Sequence, residues 1–112
     1  MQTSYYAKYK GENAVSIALS KPQWYKNCRE YKKLAPSWDL LNKYKQDKDE
    51  IYYIEHYYKE ILDKLDPQQV YEELGENTVL LCWEKDGFCH RFIVARWLEE
   101  KLGIEIKEFI KE

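Results

Sequence analysis

The sequence predicts an α/β fold, a small, mostly parallel sheet with helices packed on it. Three stretches point there. Residues 78–84, TVLLCWE, form an uninterrupted apolar run of the kind that a central strand, buried on both faces, requires. Ile93, Val94, Trp97, Leu98 and Leu102 then recur at helical spacing, and Gly103 stops them. Residues 104–110 begin IEIKE, which alternates like a half-buried edge strand. Strand, helix and strand in that order make a βαβ unit, whose two strands run parallel.

The remaining elements follow from the N-terminus. Residues 2–9, QTSYYAKY, are rich in β-formers and end at the turn cluster Lys10-Gly11-Glu12-Asn13, so they read as a strand. Residues 14–19, AVSIAL, are nearly all apolar and read as a buried strand that Pro22 terminates. Residues 21–38 hold two prolines and no clean period, and read as a long ordered loop. Ser37 caps a helix through Leu40, Leu41 and Tyr44 that ends or bends in the polar run 46–50. Over residues 51–65, Ile51, Ile54, Tyr58, Ile61, Leu62 and Leu65 fall three and four apart and predict one helix with a single apolar stripe. Asp66 and Pro67 open the next helix, which Gly75 closes. The whole is expected to be one domain, residues 1–112, in a Rossmann-like three-layer arrangement.

Composition narrows the function classes. The formal net charge is −2, which argues against a protein dedicated to coating nucleic acid. No apolar run reaches the roughly 18 residues that span a bilayer, and the first ten residues lack the apolar core of a secretory signal. Three cysteines, Cys28, Cys82 and Cys89, are an odd number, so a disulfide-stapled secreted scaffold is not expected. The cytoplasm, with reduced thiols, is the expected compartment, and no membrane partner is expected. The eleven tyrosines suit either the rim of a small core or the lining of a cleft.

The segment from Cys82 to Arg91 carries the chemistry. It leaves the carboxyl end of a buried strand and enters a helix, and ligands of open α/β sheets bind at that edge. The first turn of a helix offers unpaired N–H groups and a partial positive charge that attract anions. Strand alternation puts Cys82 and Glu84 on one face. Cys89, His90 and Arg91 fall in the first helical turn, where a thiol beside a cation becomes nucleophilic. Cys82, Glu84 and Cys89 are therefore the candidate catalytic groups, with Glu84 as acid or base. Arg91 offers a planar fork for a phosphate or carboxylate, and His90 titrates near neutrality. Each has a plainer reading: Cys82 as a small buried hydrophobe, Glu84 as a solvated strand end, His90 as packing, Arg91 as a carboxylate's partner. Zinc on Cys82, Cys89 and His90 finds little support in the spacing, because Cys-x6-Cys-His lacks the paired-knuckle pattern. No metal and no cofactor is therefore expected, and neither a Walker loop nor a Gly-x-Gly-x-x-Gly run is present.

The chain resembles the family called domain of unknown function 488. The blocks that carry the resemblance are Thr3-Ser4-Tyr5, Ser16-Ile17-Ala18, Pro22-x-Trp24-Tyr25, Tyr31-x-x-Leu34-Ala35-Pro36 and Leu65-Asp66-Pro67. The last are Leu80-Leu81-Cys82-Trp83-Glu84 and Cys89-His90-Arg91. The resemblance implies an α/β domain of bacterial or phage type without an assigned reaction. It also implies that Cys82, Glu84, Cys89, His90 and Arg91 form the family-type site. The turn before Cys89, Lys85-Asp86-Gly87-Phe88, is short.

A second candidate region lies between Lys21 and Lys33. Lys21, Lys26, Arg29, Lys32 and Lys33 face a single anion, Glu30, and Trp24, Tyr25, Tyr31 and Trp38 are interleaved or adjacent. Aromatic faces stack on bases while cations meet phosphates, so Trp24, Tyr25, Lys26 and Arg29 are candidate ligand-binding residues. The alternative is a solvated loop pinned by its rings. If the loop covers the sheet edge at Cys89, it forms a cationic lid.

Three functions compete on this reading. The first is a small enzyme acting on a phosphate-bearing ligand, a nucleotide or nucleic acid. The second is a non-catalytic binder using the same groups. The third is an interaction protein whose contact surface includes Tyr52, Tyr53 and Tyr57.

Overall fold

Strand pairing follows the apolar pattern. The computed structural model describes residues 1–25, 28–83 and 88–109. Among these, β1 (Gln2–Tyr5), β2 (Ala14–Ser16), β3 (Arg29–Glu30), β4 (Val79–Cys82) and β5 (Lys107–Glu108) form one sheet in the order β3-β2-β4-β1-β5. Every pairing is parallel. All four residues of β4 are buried and the strand lies between β1 and β2, as its unbroken apolar run requires. The expected βαβ unit is β4, α4 (His90–Leu102) and β5, with β1 lying between its two strands.

Three layers result. Val15 and Leu80 share one core with buried residues of α1 (Trp38–Asp47), α2 (Glu50–Glu60), α3 (Pro67–Leu74) and α4. On the other face Ala14, Val79 and Leu81 pack against Tyr6, Ala18 and Tyr25, so loops rather than helices build the third layer. Tyr6 Oη lies 2.6 Å from Ser16 Oγ in this layer. Ser4, which pairs with Leu81 in register, is also buried, and its hydroxyl has no partner among the described residues.

Helix starts match the capping chemistry of the sequence. Ser37 Oγ accepts from the Leu40 amide at 3.1 Å, Asp49 from Tyr52 at 3.0 Å, and Asp66 from Gln68 at 3.0 Å. Lys48, in the left-handed region at φ 56°, closes α1.

Four expectations are corrected. The helix over residues 51–65 ends at Glu60, and a separate 3-10 turn, Leu62–Lys64, drives Leu62 into the core. Its buried stripe is Tyr53 and Tyr57 rather than Ile51 and Ile54, which are 71% and 38% exposed. The tyrosines prevail because Tyr53 packs edge-on against Tyr44 and Phe88, and Tyr57 Oη donates to the Leu34 carbonyl at 2.6 Å. Tyr53 and Tyr57 are therefore core residues, which removes them from the expected protein-contact surface. The expected loop 21–38 also contains β3, a two-residue edge strand too short to show a period. No helix among the described residues is long and apolar enough to cross a membrane.

Candidate functional site

The carboxyl ends of β2 and β4 are neighbours, and the start of α4 lies beside them. A cleft of about 420 Å³ opens here. Its walls come from the segment after β2 (Ala18, Leu19, Ser20), from Pro36 and α1 (Trp38, Leu41, Tyr44, Lys45), from Tyr53, and from Trp83, Phe88, Cys89 and His90. Ligands of parallel sheets bind at this edge. The lining is mostly rings: Phe88 stacks on Tyr44 with centroids 4.9 Å apart, and Trp83 is fixed by its indole N–H donating to the Ser20 carbonyl at 2.8 Å. Lys45 is the only lysine or arginine lining the cleft among the described residues.

Cys82 ends β4 on the helix-facing side, and Cys89 is the N-cap residue of α4 without a side-chain cap bond. The strand end and the helix start deliver both sulfurs to one point, where the structure joins them; their Cα atoms are 7.3 Å apart. Free thiols were the expectation from sequence.

His90, the first residue of α4, is buried, and its Nε2 lies 2.7 Å from the Ile17 carbonyl. A carbonyl only accepts, so Nε2 carries the proton and Nδ1 keeps its lone pair. Burial pushes the His90 pKa down to about 4, helped by the Arg91 charge and opposed by the Ile17 carbonyl. The ring is therefore neutral near pH 7, and the charge change near neutrality expected of a free histidine is absent.

Arg91 is fully buried and does not line the cleft. Its Nη2 meets Glu108 Oε2 at 2.9 Å, its Nε meets Glu108 Oε1 at 3.2 Å, and its Nη1 donates to Cys82 Sγ at 3.2 Å. Thr3 Oγ1 donates to the same carboxylate at 2.6 Å, which ties β1 and β5 to the start of α4. The anion opposite this guanidinium is thus one of the chain's own carboxylates. Glu84 lies outside the described residues.

The basic loop sits apart from the cleft at its centre and joins it through Pro36 and Trp38 at its C-terminal end, beside the residues that precede the loop. Leu19, Ser20, Pro36 and Trp38 reach the cleft, whereas Trp24 and Tyr25 form a cluster with Lys10, whose Nζ lies 4.5 Å and 5.2 Å from their ring centroids. Arg29 Nη2 donates to the Leu74 carbonyl at 2.9 Å, at the end of α3, and Lys21 Nζ to the Tyr25 carbonyl at 2.9 Å. Lys32 pairs with Glu30 and Lys33 with Glu73. Lys26 lies outside the described residues.

Sequence reasoning singled out Cys89 and His90, which line the cleft, but passed over Tyr44, Lys45, Tyr53, Trp83 and Phe88. One signal was available: Trp38, Leu41 and Lys45 are three and four residues apart, on one face of a helix opened by Ser37. Trp38 and Trp83, 61% and 51% exposed, are large rings left open at this edge.

The family model described as "Active DUF488-N3 subclade", DUF488-N3a, matches residues 3–102. No curated protein and no solved structure matches the chain.

Proposed function

The chain belongs to the DUF488-N3a family, and from that membership and the cleft we propose that it is a small enzyme acting on a nucleotide-type ligand. The observation that carries this reading is the lining of the cleft. Trp38, Tyr44, Trp83 and Phe88 offer ring faces and edges, Lys45 supplies a cation, and Cys89 and His90 stand on the wall. A flat base stacks on such rings, and a phosphate suits the lysine. The net charge of −2 favours a free nucleotide over a nucleic-acid strand.

Cys89 and Cys82 mark the reacting end of the cleft, and Glu84, two residues beyond Cys82, is the carboxylate assigned to move a proton. Arg91 is a positioning residue for the Cys82 sulfur rather than the ligand's anchor. The description of the subclade as active supports an enzyme and names no reaction. The chain acts as one domain in a reducing compartment, the cytoplasm.

Titration calorimetry with the four common nucleoside monophosphates, their nucleosides and inorganic phosphate tests the reading. A monophosphate is expected to bind best, its nucleoside less well, and phosphate alone not measurably. Trp38→Ala is expected to weaken binding roughly 5- to 150-fold, the effect of one lost stacking ring. Absence of binding across the series, or binding indifferent to Trp38→Ala, contradicts it. Binding without turnover of any of these compounds leaves a binding module in place of an enzyme.

A further inference from the structure

We propose that Cys82, Cys89 and His90 form a site for a single zinc ion at the wall of the cleft. The inference goes beyond the nucleotide reading and stands on its own geometry. The three residues are scattered in sequence as Cys-x6-Cys-His, yet the fold gathers one ligand atom from each within 4.8 Å of the others, and all three residues are buried. Two thiolates and an imidazole are a zinc donor set, and three protein ligands leave a fourth position for water or a ligand. Two of the three, Cys89 and His90, line the cleft, so the open position belongs on that side.

The surroundings are those of a metal site. A histidine that binds a metal through one nitrogen characteristically donates its other N–H to a carbonyl or carboxylate, which fixes the ring. His90 does so, with Nε2 on the Ile17 carbonyl at 2.7 Å and Nδ1 left basic. Cys82 Sγ receives an N–H from Arg91 at 3.2 Å, the contact that stabilises a metal-bound thiolate. The arginine is itself neutralised by Glu108. Two thiolates and one divalent ion sum to zero charge, which makes the buried cluster electrically neutral.

The backbone spacing agrees. The Cα atoms of Cys82 and Cys89 are 7.3 Å apart, beyond the ~4.4–6.8 Å across which most disulfides reach. The zinc site therefore takes the pair in its reduced form: two thiolates that share an ion replace the bond that joins the sulfurs in the structure, and they need no such approach of their backbones.

The test uses the full chain expressed with zinc in the medium and purified under reducing conditions. Elemental analysis is expected to find roughly one zinc ion per chain. The cobalt-substituted chain is expected to show thiolate-to-metal charge-transfer absorption and the intense visible bands of a tetrahedral ion. Cys28→Ser retains both signals, and Cys82→Ser and Cys89→Ser lose them. If either variant fails to fold, the cobalt spectrum of the unaltered chain decides by itself. A chain without metal, with no charge-transfer band on cobalt addition, overturns the proposal. So does a chain purified under the same reducing conditions in which, once the reductant is removed, only one of three cysteines reacts with a thiol reagent after denaturation and chelation. Metal content and nucleotide affinity are separate readouts, so a zinc-bearing chain that binds no nucleotide sinks only the reading of the cleft.

Discussion

Arg91 Nη1 donates to Cys82 Sγ at 3.2 Å while the same guanidinium grips Glu108 from the other side. One buried cation thereby links the last residue of β4 to the edge strand β5. Removing one partner of a buried ion pair typically costs about 3–5 kcal/mol. Because the Glu108 side chain is 31% exposed, the lower end applies. Arg91→Met is expected to lower the unfolding free energy by about 3 kcal/mol in urea titrations. Arg91→Lys should not rescue it, since an ammonium cannot reproduce the fork.

His90 makes stability depend on acid. Its folded pKa, about 4, lies below the ordinary 6.5, so between these values the unfolded chain binds a proton that the folded chain refuses. Stability is full above pH 6.5 and falls as pH drops toward 4, by roughly 3 kcal/mol at most. Unfolding of the chelator-treated chain at a series of pH values should show this slope, and His90→Gln should flatten it in that window. An unchanged slope in the variant contradicts the assignment.

Ser4 is buried with a hydroxyl that no described residue satisfies. An orphaned buried polar group costs on the order of 1–3 kcal/mol. Ser4→Ala should therefore leave the melting temperature unchanged or raise it. A marked fall shows that the hydroxyl has a partner.

Tyr57 separates core from surface. Its ring is fully buried and its hydroxyl donates to the Leu34 carbonyl. Tyr57→Phe should cost about 1 kcal/mol for the hydrogen bond, and Tyr57→Ala about 3–5 kcal/mol for the cavity as well. Ile51→Ser, at a 71% exposed position, should stay within about 0.5 kcal/mol. Chemical denaturation of the three variants checks the order.

The sheet was legible because burial on both faces leaves an unbroken apolar run, as in VLLC of β4 and AVS of β2. The caps of α1 and α3 were legible because Ser37 and Asp66 act locally, whereas Asp49, the cap of α2, was hidden in the polar run 46–50. The stripe of α2 was misread for a specific reason: Ile51 and Ile54 outrank tyrosines in hydropathy, but Tyr53 and Tyr57 meet Tyr44 of α1, Phe88 and the Leu34 carbonyl, partners that no local pattern announces. The same holds at the site. Strand parity put Cys82 and Glu84 on one face and helix entry put Cys89 at the ligand-binding edge of the sheet, both local facts. That Arg91 turns inward to Glu108, 17 residues away, and that Trp38 and Lys45 join Cys89 are properties of the packed fold.

The cleft is tested most directly by amide and indole NMR spectra of the labelled chain during titration with a nucleoside monophosphate. Saturable shifts are expected at Trp38, Lys45, Phe88 and Cys89, and at the Trp83 indole. Shifts gathered instead around Trp24, Tyr25 and Arg29, or none at millimolar ligand, would contradict it.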